Sequence, residues 1–446
     1  MKFKFPVNKI PYFKLILVIS VSYLIFRSFF IFPVFSDETI YINMAKAVKE
    51  GLLPYRDFFY AHPPFQLFLF QPALLFGANF IVIKIFITTL SIGCVILTYL
   101  IAKELFGNPS AFLASLFFLI FPGFLIFSNQ GMGMFEALLF FLSGFYFLIK
   151  KRILFSSILL SIAIFTRYLT ILLIPFLFLY ILQFDRKNLT KFTKFLLLTT
   201  ITTAAALVLF FGENFLIDTL AYHTQVNLSI KAGLAQFLNQ YLTLGFFTVF
   251  LSLIALFFVL FRKNDKILLF VAYSLVYDFL ILLSLKMVLY HYFILTLPLV
   301  FISTAAVFTK AKYFIVRAFI IVVLILSIAS NLVSVELFFD KTRHEVFPAL
   351  ESYVEENLDK NDSIFGEPRI VNYLSFVTGV KIANNYFDAD LKFINFAGRE
   401  KVFNEVNKIK PKIIIDNGYI PEFKGYSLVD KWEVPKHYSI KLYKLA

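Results

Sequence analysis

The sequence predicts an α-helical polytopic membrane protein of about eleven transmembrane helices, with a small α/β domain at its C-terminal end. The 446 residues are 60% hydrophobic and only 16% charged, and the mean hydropathy is +0.81. Apolar runs of about 20 residues recur, and this is the length that crosses the hydrocarbon core of a bilayer. Near residue 336 the composition changes to a charged, mixed one. A membrane part is therefore expected over residues 1–335 and a soluble part over residues 336–446.

The first apolar run is interpreted as an uncleaved span, because Arg27 and bulky Phe residues stand where a signal peptide has small cleavage-site residues. The segment 153–183 is too long for one crossing, so we predict two short helices that meet at Thr166-Arg167-Tyr168. The predicted spans cover residues 12–34, 79–102, 109–127, 133–149, 153–166, 168–183, 195–211, 239–261, 267–285, 292–309 and 313–335.

The net charge of +14 does not indicate a nucleic-acid partner, because the Lys and Arg residues are dispersed in short loops between the spans. These basic loops all fall on one side of the predicted membrane, the cytoplasmic side by the positive-inside rule. They hold Lys2, Lys4, Lys9, Lys14, Lys103, Lys150, Lys151, Arg152, Arg186, Lys187, Lys191, Lys194, Arg262, Lys263, Lys266, Lys310 and Lys312. With eleven crossings from a cytoplasmic start, the C-terminus lies outside.

The C-terminal segment is predicted to be a small extracytoplasmic α/β domain. Residues 344–358 have a helical pattern, whereas 412–415 and 437–443 are typical of strands. The segment has no dinucleotide-binding fingerprint, no P-loop and no metal-ligand spacing. The single cysteine, Cys94, lies in a span, which excludes a disulfide framework and a thiolate metal site.

The first outer loop, residues 35–78, is too long to be a mere connector. Its residues 37–50 predict an amphipathic helix lying in the membrane interface and ended by Gly51. The apolar face holds Ile40, Met44, Ala47 and Val48, and the polar face holds Asn43, Lys46, Lys49 and Glu50. Asp37 and Glu38 stand at its start. They either cap the helix together with Ser36 or supply a rigidly held general base, and the two interpretations are compatible.

Ionisable residues at or near the outer ends of the spans are functional candidates, since a charge within a membrane is costly. These residues are Arg27, Arg56, His62, Lys84, Glu136, Arg167, Lys286 and His291. We interpret Arg27 and Lys84 as snorkelling to the headgroups. Arg167, in the break between two short helices, is well placed for a lipid-linked phosphate, and Glu136 for a cation or a substrate hydroxyl. His291 fits a substrate role or an interfacial aromatic belt equally well.

Carboxylates, cations and aromatics thus face one compartment at membrane depth. They fit a transfer from a lipid-embedded, phosphate-activated donor to a polar acceptor, in which cations stabilise the leaving phosphate and a carboxylate deprotonates the nucleophile. The pattern does not itself indicate a cofactor. A divalent metal stays open, because Asp37, Glu38 and His62 could share a hard cation with a phosphate. The alternative function is a transporter or a flippase for a lipid-linked sugar, since a broken, charged helix is also a transporter feature.

Several motifs together resemble the GT-C membrane glycosyltransferases, above all the family 39 protein mannosyltransferases and the related aminoarabinose transferase of lipid A. The resemblance rests on Asp37-Glu38, the Gly51-x-x-Pro-Tyr-Arg-Asp57 segment and His62-Pro-Pro64, with weaker support from Thr166-Arg167-Tyr168 and from His291-Tyr292 followed by Pro298. Arg167 stands where the family usually has Lys, and Glu136 where it typically has Asp.

The resemblance implies an inverting transfer from a polyprenyl- or dolichyl-phosphate sugar to a protein, lipid or glycan acceptor. It also implies that Asp37 is the base or an acceptor-binding acid, and that no nucleotide is needed. The breadth of the family favours a prokaryotic plasma membrane, with the active site and the C-terminus on the extracytoplasmic side. The chain lacks the Trp-Trp-Asp-Tyr-Gly motif of oligosaccharyltransferases, and its only tryptophan is Trp432.

Overall fold

The computed structural model describes residues 11–29, 31, 36–224, 246–262, 264–284, 290–312, 314–338, 341–420, 425–434 and 438–445. The chain forms two compact units, each assembled from three separate stretches. The first unit takes Met1–Phe29, Ile87–Ala204 and Asn227–Val335. The second takes Phe30–Phe86, Ala205–Val226 and Glu336–Ala446, so that the first outer loop belongs with the C-terminal segment.

Helices cover the predicted spans wherever the structure describes the chain. Three of these segments are long and apolar enough to cross a bilayer, namely Phe80–Phe106, Arg186–Phe211 and His291–Lys310. The helices of the other spans are Tyr12–Ser28, Asn108–Ile120, Pro122–Phe127, Met134–Ile149, Ile153–Ile164, Ile174–Phe184, Phe246–Arg262, Asp265–Ser284 and Phe314–Phe338.

Two of these spans are interrupted. The break predicted near Thr166-Arg167-Tyr168 is confirmed, because the helix Ile153–Ile164 ends there, Arg167 is extended, and a 3₁₀ turn over Tyr168–Leu173 follows. The prediction of one continuous helix over 109–127 was wrong, since the helix is broken at Phe121. Pro122 explains the break, because a proline disfavours the helical conformation of the residue before it.

The C-terminal segment contains one five-stranded sheet in the order β2-β1-β3-β5-β4. Its strands are β1 (Ser363–Gly366), β2 (Lys381–Ile382), β3 (Ile413–Asp416), β4 (Tyr426–Val434) and β5 (Tyr438–Leu445). β1 pairs in parallel with β2 and β3, whereas β5 pairs antiparallel with β3 and β4. The accompanying helices are Lys341–Asn357, Pro368–Thr378, Leu391–Ala397 and Arg399–Ile409. The predicted α/β character is thereby confirmed.

The first outer loop packs into this second unit through its own helix, Glu38–Lys49, which we call the loop helix. The helix ends before Gly51, whose φ of +98° is the left-handed conformation that glycine favours. On its apolar face Ile40, Met44 and Ala47 are buried, as the pattern predicted, and Val48 is half-buried. Its polar face is only partly covered: Asn43 and Lys46 pack on the helix Pro368–Thr378, whereas Lys49 and Glu50 are exposed. Asn43 donates to Asn372 Oδ1 at 3.1 Å, and Lys46 donates to the carbonyls of Ser375 and Phe376 at 3.2 Å each.

A shared hydrophobic core holds the outer loop and the C-terminal segment together. Ala61 of the loop and Tyr222 of the middle stretch join buried residues that come after β1, among them Phe393 and Phe403. Phe59 packs on Tyr222 and Phe393, with ring centroids 4.9 and 4.8 Å apart. In the same unit, Asp37 and Thr39 at the start of the loop helix contact Arg369, which lies three residues after β1.

Candidate active site

Asp37 lies at the N-terminal end of the loop helix but does not cap it. Its side chain makes no capping hydrogen bond, and the Glu38 N–H donates instead to Ser36 Oγ, at 3.5 Å. The Asp37 carboxylate accepts from the Arg369 guanidinium, with Nε 3.3 Å from Oδ1. It remains 40% exposed. Asp37 is therefore an accessible carboxylate that contacts Arg369 and makes no capping bond.

Glu38 has a different environment, although it is the next residue. Its side chain is fully buried, and Lys84 Nζ lies 2.7 Å from Oε1 and 2.8 Å from Oε2. Lys84 is fully buried as well, so the prediction that it snorkels was wrong, since its partner is a carboxylate and not the headgroup layer. This buried ion pair ties the start of the loop helix to residue 84.

A group of further carboxylates surrounds Asp37 in the same unit. Burial, and after it the charges of Asp390 and Asp37, raises the pKa of Asp388 well above its ordinary value. Burial also raises the pKa of Asp390, which caps the helix Leu391–Ala397 by accepting from Phe393 N at 2.6 Å. The cation Lys392 counters both charges and lies 3.6 Å from the ring centroid of Tyr222.

Glu367 is the most buried acid of this group, with 2% of its side chain exposed. It follows β1 directly and begins the helix Pro368–Thr378. Burial raises its pKa to about 7, while Arg369 lowers it and Asp37 raises it. One carboxylate oxygen accepts from Asn417 Nδ2, and the other lies 3.8 Å from Arg369 Nε.

The turn that presents Glu367 and Arg369 depends on Gly366. Its φ is +139°, and a Cβ atom there would lie 1.9 Å from the carbonyl oxygen of Ile415 on β3. The close approach allows Glu367 N to donate to the same carbonyl at 2.7 Å. Because β1 and β3 are parallel, their carboxyl ends meet here, which is the usual place for a functional site in such sheets.

Two further candidate residues of the outer loop have contacts of their own. Arg56 is 63% exposed and pairs with its neighbour Asp57 at 2.7 Å. His62 shares a hydrogen bond of 3.0 Å with the Tyr41 hydroxyl and stacks on His223, with ring centroids 5.5 Å apart. Among the described residues, no three His, Cys, Asp or Glu side chains are grouped in a way that could hold a metal ion.

The described residues of the first unit include four more candidates, Arg167, His291, Glu136 and Arg27. Arg167 is buried in the helix break and donates to the carbonyl of Met132 at 2.5 Å. His291 interacts electrostatically with Arg167. Glu136 is buried in the first turn of the helix Met134–Ile149. The snorkelling interpretation of Arg27 was wrong, because Arg27 is buried and donates to Asn129 Oδ1 at 2.8 Å. Lys286 lies outside the described residues.

By sequence, no family model and no curated protein matches the chain. Solved structures do match it. Crystal structures of ArnT from Cupriavidus metallidurans, in the apo state and bound to undecaprenyl phosphate, match with TM-scores of 0.69 and 0.64. Each is 12% identical and covers 96% of this chain, with 97% and 98% of the other chain matched. The chain has the GT-C fold.

A third GT-C structure, the apo form of the Archaeoglobus fulgidus oligosaccharyltransferase, matches with a TM-score of 0.56 and 13% identity, over 92% of this chain and 70% of the other. ArnT is the lipid A aminoarabinose transferase, and all of these structures are GT-C glycosyltransferases. The predicted resemblance is confirmed at the level of fold. The GT-C fold and the apolar helices also make the chain an integral membrane protein.

Sequence reasoning missed the residues that the C-terminal segment places around Asp37, namely Glu367, Arg369, Asp388, Asp390 and Lys392. A usable signal was present. Gly366-Glu367-Pro368-Arg369 directly follows the apolar residues Ile364 and Phe365, and Asp416-Asn417-Gly418 follows the strand that the pattern did predict. Polar residues after parallel strands are typical of a site at the sheet edge.

Proposed function

We propose that the chain is a membrane glycosyltransferase. It transfers a sugar from a polyprenyl- or dolichyl-phosphate donor to a protein, lipid or glycan acceptor on the extracytoplasmic face, with inversion, and Asp37 is the base. The observation that carries the proposal is the state of Asp37 in a GT-C fold: it is exposed, it does not cap its helix, and Arg369 orients it. The structure of ArnT bound to undecaprenyl phosphate supports a lipid-phosphate donor.

In the proposed reaction, the acceptor hydroxyl gives its proton to the Asp37 carboxylate as its oxygen attacks the anomeric carbon. The bond between that carbon and the phosphate oxygen breaks on the opposite face, and the polyprenyl phosphate leaves as an anion. A carboxylate fits the first step because it accepts a proton when it is held within hydrogen-bond distance. Cations stabilise the charge that develops on the leaving phosphate.

The candidates for that cationic role are Arg56 and His62 in the second unit and Arg167 in the first. Arg56 is open to solvent, with 63% of its side chain exposed, and it pairs with Asp57, whose side chain is 24% exposed. Arg167, His291, Glu136 and Lys286 keep their predicted roles in binding the donor phosphate or the substrate on the strength of the sequence alone. We assign Glu38 to holding the start of the loop helix in place rather than to proton transfer, because its buried pair with Lys84 occupies both carboxylate oxygens.

The test uses purified protein reconstituted in lipid and given labelled undecaprenyl- and dolichyl-phosphate sugars, with a detergent extract of membranes as the source of acceptors. We expect the wild type to move label out of the donor lipid. Asp37→Asn should lower the rate about 100-fold or more, as expected for loss of a general base. Glu356→Gln is the matched control, since it removes an exposed carboxylate of the same unit.

Two results would contradict the proposal. Full activity of folded Asp37→Asn would exclude this residue as the base. Passage of intact donor across the bilayer with no chemical change would instead support the alternative function, a transporter or flippase.

A further inference from the structure

The Arg369 guanidinium stands between two carboxylates that differ in exposure. On one side it meets Asp37 Oδ1, 3.3 Å from Nε, and on the other Glu367 Oε1, 3.8 Å from the same nitrogen. Asp37 is 40% exposed and Glu367 is 2% exposed. The chain of contacts therefore runs from a buried acid, through a cation, to the acid that faces the solvent.

The position of the buried acid is fixed from behind. Glu367 accepts from the Asn417 amide, and its backbone N–H donates to the Ile415 carbonyl at 2.7 Å. Gly366 makes that approach sterically feasible. Glu367 is thus held by β3 and by the residue that follows it, and it offers Arg369 a fixed anion.

Docking of the loop helix does not depend on the contact between Arg369 and Asp37. Thr39 Oγ1 donates to the Arg369 carbonyl at 2.8 Å, and this bond survives any change of side chain at residue 369. Asn43 and Lys46 add the further bonds to the helix Pro368–Thr378. A half-exposed ion pair adds at most about 1 kcal/mol to stability. The main consequence of the Arg369 side chain is therefore local to Asp37.

That consequence is electrostatic and geometric. The carboxylates of Glu367, Asp388 and Asp390 all interact unfavourably with the charge of Asp37, and Arg369 opposes each of them. A guanidinium also fixes the direction of the carboxylate that it contacts, because its planar donors are rigid. A base in this position has to be both ionised and aimed at its substrate.

We propose that Arg369 is a positioning residue for glycosyl transfer: held by Glu367, it orients the Asp37 carboxylate and balances the negative charge around it. This inference rests on the proposed function and adds to it that the C-terminal segment takes part in the reaction. It does so through Asp37, since Arg369 is not required to touch the sugar or the phosphate.

The experiment measures kcat and donor KM in the same reconstituted transfer assay for Arg369→Ala, Arg369→Lys and a control. Arg369→Ala should lower kcat about 100-fold, the effect of a misplaced catalytic group, and should change donor KM less than about twofold. Arg369→Lys should retain part of the activity, because it keeps the charge but not the planar fork. Lys412→Ala is the control, since it breaks another partly exposed ion pair of this segment, the one with Asp362 at 2.8 Å, and should leave kcat unchanged.

Chemical rescue separates positioning from a structural role. Residue 369 is 34% exposed, so methylguanidinium added at millimolar concentration should reach the space left in Arg369→Ala and raise kcat at least about tenfold, without rescuing Asp37→Asn. A wild-type kcat in Arg369→Ala would overturn the inference. The inference would also be overturned if kcat were lost in Arg369→Ala and neither added methylguanidinium nor the variant Arg369→Lys restored it. Absence of transfer by the wild type would overturn the proposed function itself, and this outcome is recognisable because every variant and control would then be equally inactive.

Discussion

Replacing Lys84 with Met should destabilise the second unit far more than the loss of one ion pair usually does. The Lys84 and Glu38 charges lie 2.7 Å apart with no exposure to solvent. At that distance the attraction is about 6 kcal/mol for an effective dielectric constant of about 20. Removing both charges from water costs several kcal/mol for each ion, so the pair as a whole contributes little net stability. Removing only Lys84 leaves Glu38 buried and uncompensated, which typically costs about 3–5 kcal/mol.

The assay follows the fluorescence of Trp432 during heating in detergent. Trp432 is the only tryptophan and lies in β4, so its signal reports on the unit that carries the mutation. We expect Lys84→Met to melt well below the wild type. The double variant Glu38→Leu/Lys84→Met should recover most of the difference, because apolar residues can replace a buried pair at little cost.

The matched control is the ion pair between Lys412 and Asp362 in the same unit, which has a similar separation of 2.8 Å but side chains 50% and 16% exposed. Lys412→Met should change stability by no more than about 1 kcal/mol. The reasoning would be refuted if Lys84→Met melted like Lys412→Met, or if the double variant were as unstable as the Lys84 single variant.

Two further predictions concern the turn after β1. Gly366→Ala should lower the melting temperature and abolish transfer, because the new Cβ would meet the Ile415 carbonyl oxygen at 1.9 Å. The control is Gly418→Ala, at φ +103° with no atom within 4 Å, which should lower the stability by only about 1–2 kcal/mol. Equal melting temperatures of the two variants would contradict the steric argument. Stability should also depend on pH through Glu367, whose pKa is raised from 4.5 to about 7 by burial. The folded state then binds the proton more tightly, so stability should fall by about 3 kcal/mol as the pH rises from about 4.5 to 7 and level off above. The effect is isolated by comparing the pH dependence of stability in the wild type and in Glu367→Gln. Burial also raises the pKa of Asp218 to about 7, but Asp218 titrates in both proteins and cancels in the difference. Parallel curves of stability against pH would contradict the prediction.

The membrane helices were predictable because each depends on composition within a short window. The break at Arg167 could be predicted from the length of one apolar run together with a central charge. The break at Phe121 was missed although Pro122 signals it, since a proline within an apolar run is compatible with a kinked but continuous helix. Local patterns also predicted the loop helix and the strands β3 and β5.

Long-range partners were not predictable in the same way. The polar face of the loop helix has the pattern of a water-exposed surface, and nothing local indicates that Asn43 would meet Asn372. The snorkelling interpretation of Lys84 failed for the same reason, since its partner Glu38 is 46 positions away. The acid Asp37 was recognised from its position after the first span, but its cation Arg369 comes 332 residues later.

That separation has a consequence for how the protein is made. The loop helix leaves the ribosome early, whereas the helix that its Asn43 and Lys46 contact is completed some 330 residues afterwards. Until then, Asn43 and Lys46 lack these bonds, and closing so long a loop is entropically slow. Maturation of the second unit therefore waits for nearly the whole chain to be translated. Asp37 is among the earliest residues of the site to be synthesised and among the last to be set in place.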